Sequence, residues 1–174
     1  YDSHHRVPPR NLEAIQYWIQ EGGRFTVATG RAHRTFAPYV HLAPINAPVV
    51  LSNGSAIYDF QSSTMLIQTL LDPRAPRDFA ALMEAIPSLG LEAYHGEDIY
   101  VCRPNAITDA HMAKVGTDYT LCPVLEMPAP WTKAIVQQEY GELLRARAWL
   151  EAHCPGRYEA IFSNRYYLEI THRG

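Results

Sequence analysis

The chain has 174 residues, 47% of them apolar and 19% charged, with a formal net charge of -3, a balance that belongs to a folded globular protein and excludes extended disorder. No run of Lys or Arg exceeds a pair, so neither nucleic acid nor an anionic membrane is an expected partner. Apolar runs such as 47–51 fall far short of the roughly 20 residues that cross a bilayer, and no basic-then-apolar leader opens the sequence, so a cytoplasmic location is expected.

The first periodic segment is 11–21, where Leu12, Ile15, Trp18 and Ile19 recur at helical spacing behind Pro8 and Pro9 and ahead of Gly22 and Gly23. A β-prone run, 25–28, ends at Thr29-Gly30-Arg31, and 34–42 reads as a helix. Pro48 then opens the apolar run Val49-Val50-Leu51, which meets a loop at Ser52-Asn53-Gly54, the pattern of a buried parallel strand. Thr29 and Asn53 thus occupy equivalent places, at the carboxyl ends of two strands. In open α/β sheets such loops line the ligand crevice, so this pair is a candidate phosphate or sugar edge.

From 56 onward the pattern becomes β-rich. The stretches 56–60 and 65–71 flank a polar turn and read as a hairpin that opens a second unit. A helix over 77–86 follows, carrying Phe79, Leu82, Met83 and Ile86, then strands 91–94 and 99–103 around His95-Gly96-Glu97-Asp98. The stretch 105–125 is weakly patterned, with a short helix near 109–115. A strand at 133–136 leads to a helix over 140–153, whose apolar face is read as Leu143, Leu144, Ala148 and Leu150 and which stops at Pro155-Gly156. Strands 158–163 and 167–171 close the chain. The unit from about 58 to 171 is therefore α+β, attached to a short α/β piece with two strands of its own, which make a poor parallel sheet by themselves.

Cys102, Cys122 and Cys154 are widely spaced, form no CxxC or Cys/His zinc pattern, and read as buried reduced thiols. Of the eight histidines, His4 and His5 lie in a polar opening segment and no other pair falls at i, i+4 spacing, so no histidine metal site is expected. Trp18, Trp131 and Trp149 read as packing residues. Tyr94, His95, Glu97 and Asp98 read as a polar hairpin tip, with a position in a substrate cleft as the alternative.

Four pieces in order carry a family resemblance. They are Tyr1-Asp2-Ser3 leading into Pro-Arg-Asn-Leu-Glu-Ala-Ile, the run Phe25-Thr26-Val27-Ala28-Thr29-Gly30-Arg31, the run Leu51-Ser52-Asn53-Gly54-Ser55-Ala56-Ile57-Tyr58-Asp59, and Tyr167-Leu168-Glu169-Ile170. Together they span almost the whole chain and resemble the Cof-type, subclass IIB branch of the haloacid dehalogenase (HAD) phosphatases. The resemblance implies an α/β fold: a partial Rossmann-like core over 1–58, a large α+β cap over 59–170, and a return to the core over 171–174. Tyr58 and Asp59 fall at the hinge.

In this family an Asp-x-Asp-Gly-Thr motif supplies the nucleophile and the general acid and base, and the resemblance places it upstream of Tyr1. A lysine after the Leu-Glu-Ile strand and a Mg²⁺-binding Gly-Asp-x-x-Asn-Asp run would follow Gly174. Lys114 and Lys133, the only lysines, do not match that position. The chain is thus expected to hold no catalytic residue and no metal ligand, to be an inactive fragment by itself, and to depend on Mg²⁺ in the complete enzyme.

What the resemblance leaves within the chain is the phosphate loop: Thr29 as a hydroxyl donor with the Gly30 N–H beside it, and Arg31, Asn53 and Gly54 as possible substrate or cap contacts. Local spacing alone also allows Thr29 to be only a helix-capping residue, Asn53-Gly54 only a tight turn, and Arg31 only the partner of a nearby carboxylate. The expected activity is hydrolysis of a small phosphorylated metabolite such as a sugar phosphate. A phosphomutase of the same superfamily and a non-catalytic binding or interaction domain are the alternatives, and the oligomeric state is left open.

Overall fold

The structure, a computed structural model, describes residues 6–173; Tyr1-Asp2-Ser3, His4, His5 and Gly174 lie outside the described residues. The chain divides into two compact units, Tyr1–Gln68 and Thr69–Gly174.

In the first unit, helix α1 (Pro9–Gln20) starts on Pro9, whose fixed φ suits the first helical position. Gly22, at φ +84, ends the segment. Leu12, Ile15 and Ile19 are half-buried, but Trp18, expected to pack, is 58% exposed. Its indole N–H donates to the Arg24 carbonyl at 3.1 Å. A Cβ on Gly23 would fall 2.2 Å from that ring, so only glycine lets the chain turn beneath it.

The single helix expected over 34–42 is instead α2 (His33–Phe36) followed by a 3₁₀ turn over Ala37–Leu42. Pro38 is the cause, since it offers no N–H for an i→i−4 bond and the chain tightens there. The 25–28 run does not become a full strand. It makes one parallel bridge, Ala28 to Val50, beside β1 (Val49–Leu51).

Strands β1, β2 (Ala56–Asp59) and β3 (Thr64–Gln68) form an antiparallel sheet in that order. The 56–68 hairpin therefore extends the first unit's sheet, and the second unit begins at Thr69. Asp59 holds the turn by accepting from the Gln61 N–H at 2.9 Å and the Ser62 hydroxyl at 2.8 Å. Those bonds, Ser62 first, lower its carboxyl pKa. Phe36, Val49, Leu51 and Ala56 are the buried core here. Around it the rings of His33 and Tyr58 meet in a tilted contact at 4.1 Å, and Phe60 meets Tyr58 and Phe36 edge-on.

The second unit is a six-stranded sheet in the order β6 (Thr120–Leu121), β5 (Asp98–Cys102), β4 (Gly90–His95), β7 (Lys133–Gln137), β9 (Tyr167–His172), β8 (Tyr158–Asn164). Every neighbouring pair is antiparallel except β5 and β6. Helices α3 (Ala75–Ala85) and α5 (Tyr140–His153) pack on one face. Because side chains alternate across a strand, Leu91, Ala93, Ala134, Val136, Leu168 and Ile170 all point into that layer and are fully buried. Each large aliphatic side chain so buried contributes about 1.5–3 kcal/mol.

Helix α4 (Ala106–Val115) packs with the opposite face, around Tyr94, Ile99, Val101, Met112 and Ile135. The Asn105 side chain accepts from the N–H groups of Ile107 and Thr108 at its start, and Gly116, in the left-handed region, closes it.

Three expectations change here. The buried face of α5 is Leu143, Ala146 and Leu150, while Leu144 is 41% exposed. Adjacent apolar residues on a helix cannot share one face, and Leu143 takes it. Tyr94 is not at the hairpin tip but buried in the sheet. Cys154 is buried as expected, whereas Cys102 and Cys122 are free thiols with partial exposure.

Candidate phosphate loop and a buried polar network

The two loops singled out in the sequence are brought together by backbone hydrogen bonds. Val50 N–H donates to Val27 O at 3.0 Å and Thr29 N–H donates to Val50 O at 3.0 Å, the slanted pattern of a parallel pair. Beyond the strand ends the zipper continues, with Ser52 N–H on Arg31 O at 3.0 Å and Asn53 N–H on Thr29 O at 3.2 Å. Thr29-Gly30-Arg31 and Ser52-Asn53-Gly54 thereby lie side by side as one polar edge.

That edge has an unusual backbone. Ser52, Asn53 and Gly54 have φ of 50°, 58° and 95° in succession. Asn and Gly accept this region readily, but Ser does so at a cost on the order of 1 kcal/mol. Ser52 is buried, and its N–H bond to Arg31 holds the conformation in place.

Thr29 is partly buried, and its hydroxyl oxygen accepts the Arg31 N–H at 3.2 Å. A hydroxyl has one proton to give and two lone pairs, so this bond orients the oxygen and leaves the O–H to donate. Gly30 packs against the second loop, where an added Cβ would fall 2.6 Å from Asn53 Oδ1. Arg31 reaches the Thr35 carbonyl at 3.4 Å and lies 4.5 Å over the Tyr39 ring. Among the described residues its partners are thus a carbonyl and an aromatic face, not a carboxylate. Asn53 and Gly54 are exposed at the loop's outer side. The two loops thus place the Thr29 hydroxyl and a run of small polar residues along one edge.

Among the described residues no group of three or more His, Cys, Asp or Glu is placed to hold a metal ion. The described residues thus offer no ready-made carboxylate cluster for Mg²⁺. Among the same residues no helix is long and apolar enough to cross a membrane.

A second cluster lies in the six-stranded sheet, and the sequence reading missed it. Glu92, at the middle of β4, is fully buried. It accepts from His111 Nδ1 at 2.7 Å, Gln137 Nε2 at 2.5 Å and the Tyr94 hydroxyl at 3.0 Å. One hydrogen is shared between His111 Nδ1 and Glu92 Oε1 at that distance. Burial, followed by the charge of Glu92, pushes the Tyr94 phenol well above its ordinary pKa.

On the same face Lys133 Nζ lies 3.4 Å from Glu169 and 4.7 Å from the Tyr94 ring centre. Gln137 Oε1 is buried without a partner among the described residues. The available signal was a charge at an inward position of an otherwise apolar strand, Leu91-Glu92-Ala93, but its partners come from residues far along the chain and no local pattern announces them.

A profile for the haloacid dehalogenase-like hydrolases matches residues 1–174. Among solved structures, a haloacid dehalogenase-like hydrolase from Bacteroides thetaiotaomicron superposes with a TM-score of 0.81 at 18% identity, covering 99% of this chain and 67% of that one. A HAD subclass IIB sugar phosphatase superposes with a TM-score of 0.77 at 15% identity, covering 98% of this chain and 64% of that one. At these identities the likeness is one of fold. A Mycoplasma pneumoniae protein carrying a phosphatase name is 31% identical over 71 residues, which are 41% of this chain and 25% of that protein. The chain thus spans only part of the length of the proteins it matches. With the profile covering every residue from first to last, the chain belongs to the haloacid dehalogenase-like hydrolase family.

Proposed function

We propose that this chain is part of a Mg²⁺-dependent phosphatase of the Cof-type, subclass IIB branch that hydrolyses small phosphomonoesters such as sugar phosphates. The observation that carries the reading is the backbone zipper that sets Thr29-Gly30-Arg31 against Ser52-Asn53-Gly54. In this reading the Thr29 hydroxyl and the Gly30 N–H donate to the transferring phosphoryl group, whose oxygens gather charge in the transition state. The second unit, from Thr69 on, acts as the cap whose side chains choose the substrate, and the hairpin at 59–68, expected within the cap, stays with the unit that carries the loop. The carboxylate nucleophile, the acid and base, and the groups that hold Mg²⁺ are supplied by residues other than those described. The similarity to a sugar phosphatase of known structure supports the substrate class.

The test is steady-state hydrolysis of a panel of sugar phosphates by the complete natural chain with Mg²⁺, alongside Thr29→Ala and Thr29→Ser. Loss of one preorganised donor lowers kcat/KM by about tenfold to a thousandfold in Thr29→Ala, with recovery in Thr29→Ser. A Thr29→Ala enzyme as fast as the parent would remove Thr29 from the phosphate site. Turnover by the 174-residue chain alone would show that the catalytic groups have been misplaced.

A further inference from the structure

Strand register in the second unit brings together two groups that the phosphate reading does not use. The parallel ladder pairs Tyr100 with Thr120 and Val101 with Leu121, and Cys122 N–H donates to Val101 O at 3.1 Å. One further step along each strand sets Cys102 beside Cys122. Residues at the same step of a parallel ladder present their side chains on the same face. Both thiols accordingly pack against the same apolar cluster, and both line one cleft of about 670 Å³ with Met83, Leu121 and Leu125.

The spacing suits a bond between them. Adjacent strands lie about 4.8 Å apart, inside the Cα separation of about 4.4–6.8 Å that a disulfide spans. β5 ends at Cys102 and β6 at Leu121, so no later ladder bond resists the last adjustment. The Cys122 thiol is pushed up by burial, then by Glu126 and by the neighbouring Cys102. Both are partly exposed, unlike Cys154. Among the described residues no third donor joins them to make a metal site, so their chemistry is that of a dithiol.

We propose that Cys102 and Cys122 form a reversible disulfide by exchange with a low-molecular-weight disulfide. One cysteine thiolate attacks the small disulfide, forming a mixed disulfide and releasing one small thiolate. The second cysteine thiolate then attacks the protein sulfur of that mixed disulfide, closing the bridge and releasing the other. The protein dithiol is oxidised, the small disulfide is reduced to two thiols, and the two protons follow the leaving thiolates. The bridge closes a loop over residues 103–121, which contains α4 and His111, and it staples the two-residue edge strand β6 to the sheet. A bond across such a weakly held edge restrains the segment most in need of restraint. The inference does not depend on the phosphate reading.

The test is incubation of the full chain with oxidised glutathione, followed by intact mass and non-reducing peptide mapping. The expected product lacks two hydrogens, carries no glutathione, and yields a peptide linking Cys102 to Cys122. The same product forms in Cys154→Ser. Cys102→Ser and Cys122→Ser stop at the glutathione adduct. In the bridged wild type, amide exchange over residues 103–121 slows by on the order of tenfold or more. A wild type that stays reduced, accumulates only glutathione adducts, or links Cys154 or a second chain overturns the proposal, and mapping the wild type decides it even if a variant fails to fold.

Discussion

In the six-stranded sheet every residue of β7 is buried and so is all of β4 except His95, whereas the three-stranded sheet buries only Val49, Leu51 and Ala56 on its strands. The candidate phosphate loop sits on the second of these. Its geometry is fixed by four backbone bonds and three successive left-handed residues, not by a thick apolar layer. A site whose donors must meet a ligand needs reachable backbone, and reachable backbone cannot also be core. The larger sheet meets the opposite demand: it packs Leu, Val and Ile on one face and accommodates a buried carboxylate on the other.

Two phenylalanines give the largest expected effects. Phe79 is fully buried, 5.7 Å from the Trp131 ring and 5.5 Å from Tyr158. Phe36 is equally buried but has, among the described residues, one ring neighbour, Phe60, at 5.8 Å. Truncation of either to Ala costs about 3–5 kcal/mol locally. Phe36→Ala should speed amide exchange over residues 6–68 while β4 and β7 keep their protection, and Phe79→Ala should speed exchange over residues 69–173. Equal loss in both units from either variant would show one cooperative body and end the distinction.

What the sequence disclosed follows the same division. Elements whose pattern is local were legible: α3 by its apolar spacing, β4 and β5 around Gly96, β8 and β9 around the 164–166 turn, and α5 by its Leu143 and Leu150 positions and the Pro155-Gly156 stop. That the tripeptides 29–31 and 52–54 lie side by side was legible because each follows a β-prone run with turn-forming polar residues. Features set by tertiary partners were not. The 25–28 run looks like a strand, yet its neighbour β1 pairs with it at a single bridge. Trp18 has the spacing of a core residue but stands over Gly23 instead. Glu92 gave no sign of His111 or Gln137, because side-chain partners 19 and 45 residues away leave no periodic trace.

Removal of the buried Glu92 carboxylate has the next largest effect. In Glu92→Leu, the hydrogens of His111, Gln137 and Tyr94 lose their shared acceptor inside the sheet, and the second unit is destabilised by about 2–4 kcal/mol. Glu92→Leu combined with Gln137→Leu removes an unpaired donor and also the buried Gln137 Oε1 that has no partner among the described residues. The double variant should therefore cost less than the sum of the two singles, by about 1 kcal/mol in denaturant unfolding. Strict additivity would mean that Glu92 and Gln137 act separately, against the 2.5 Å contact between them.

The smallest effect is one of pH, and it too belongs to the packed unit. Cys154 is pushed up to about 11 from 9.0 by burial, and then by the Asp78 carboxylate, with the Arg157 charge opposing. A folded pKa above the unfolded one means that the folded state holds its proton more tightly. The contribution is complete below about pH 9 and is lost as pH climbs toward about 11. Tyr94 and Tyr158 are raised in the same sense, each by burial first, so the wild type weakens progressively in alkali. Cys154→Ala isolates the thiol's share: its stability should fall less between pH 8 and 11, by on the order of 1 kcal/mol. The first unit holds no such buried thiol, so its amide-exchange protection should not respond to Cys154→Ala. A matching response there would tie the two units together through a residue that belongs to one.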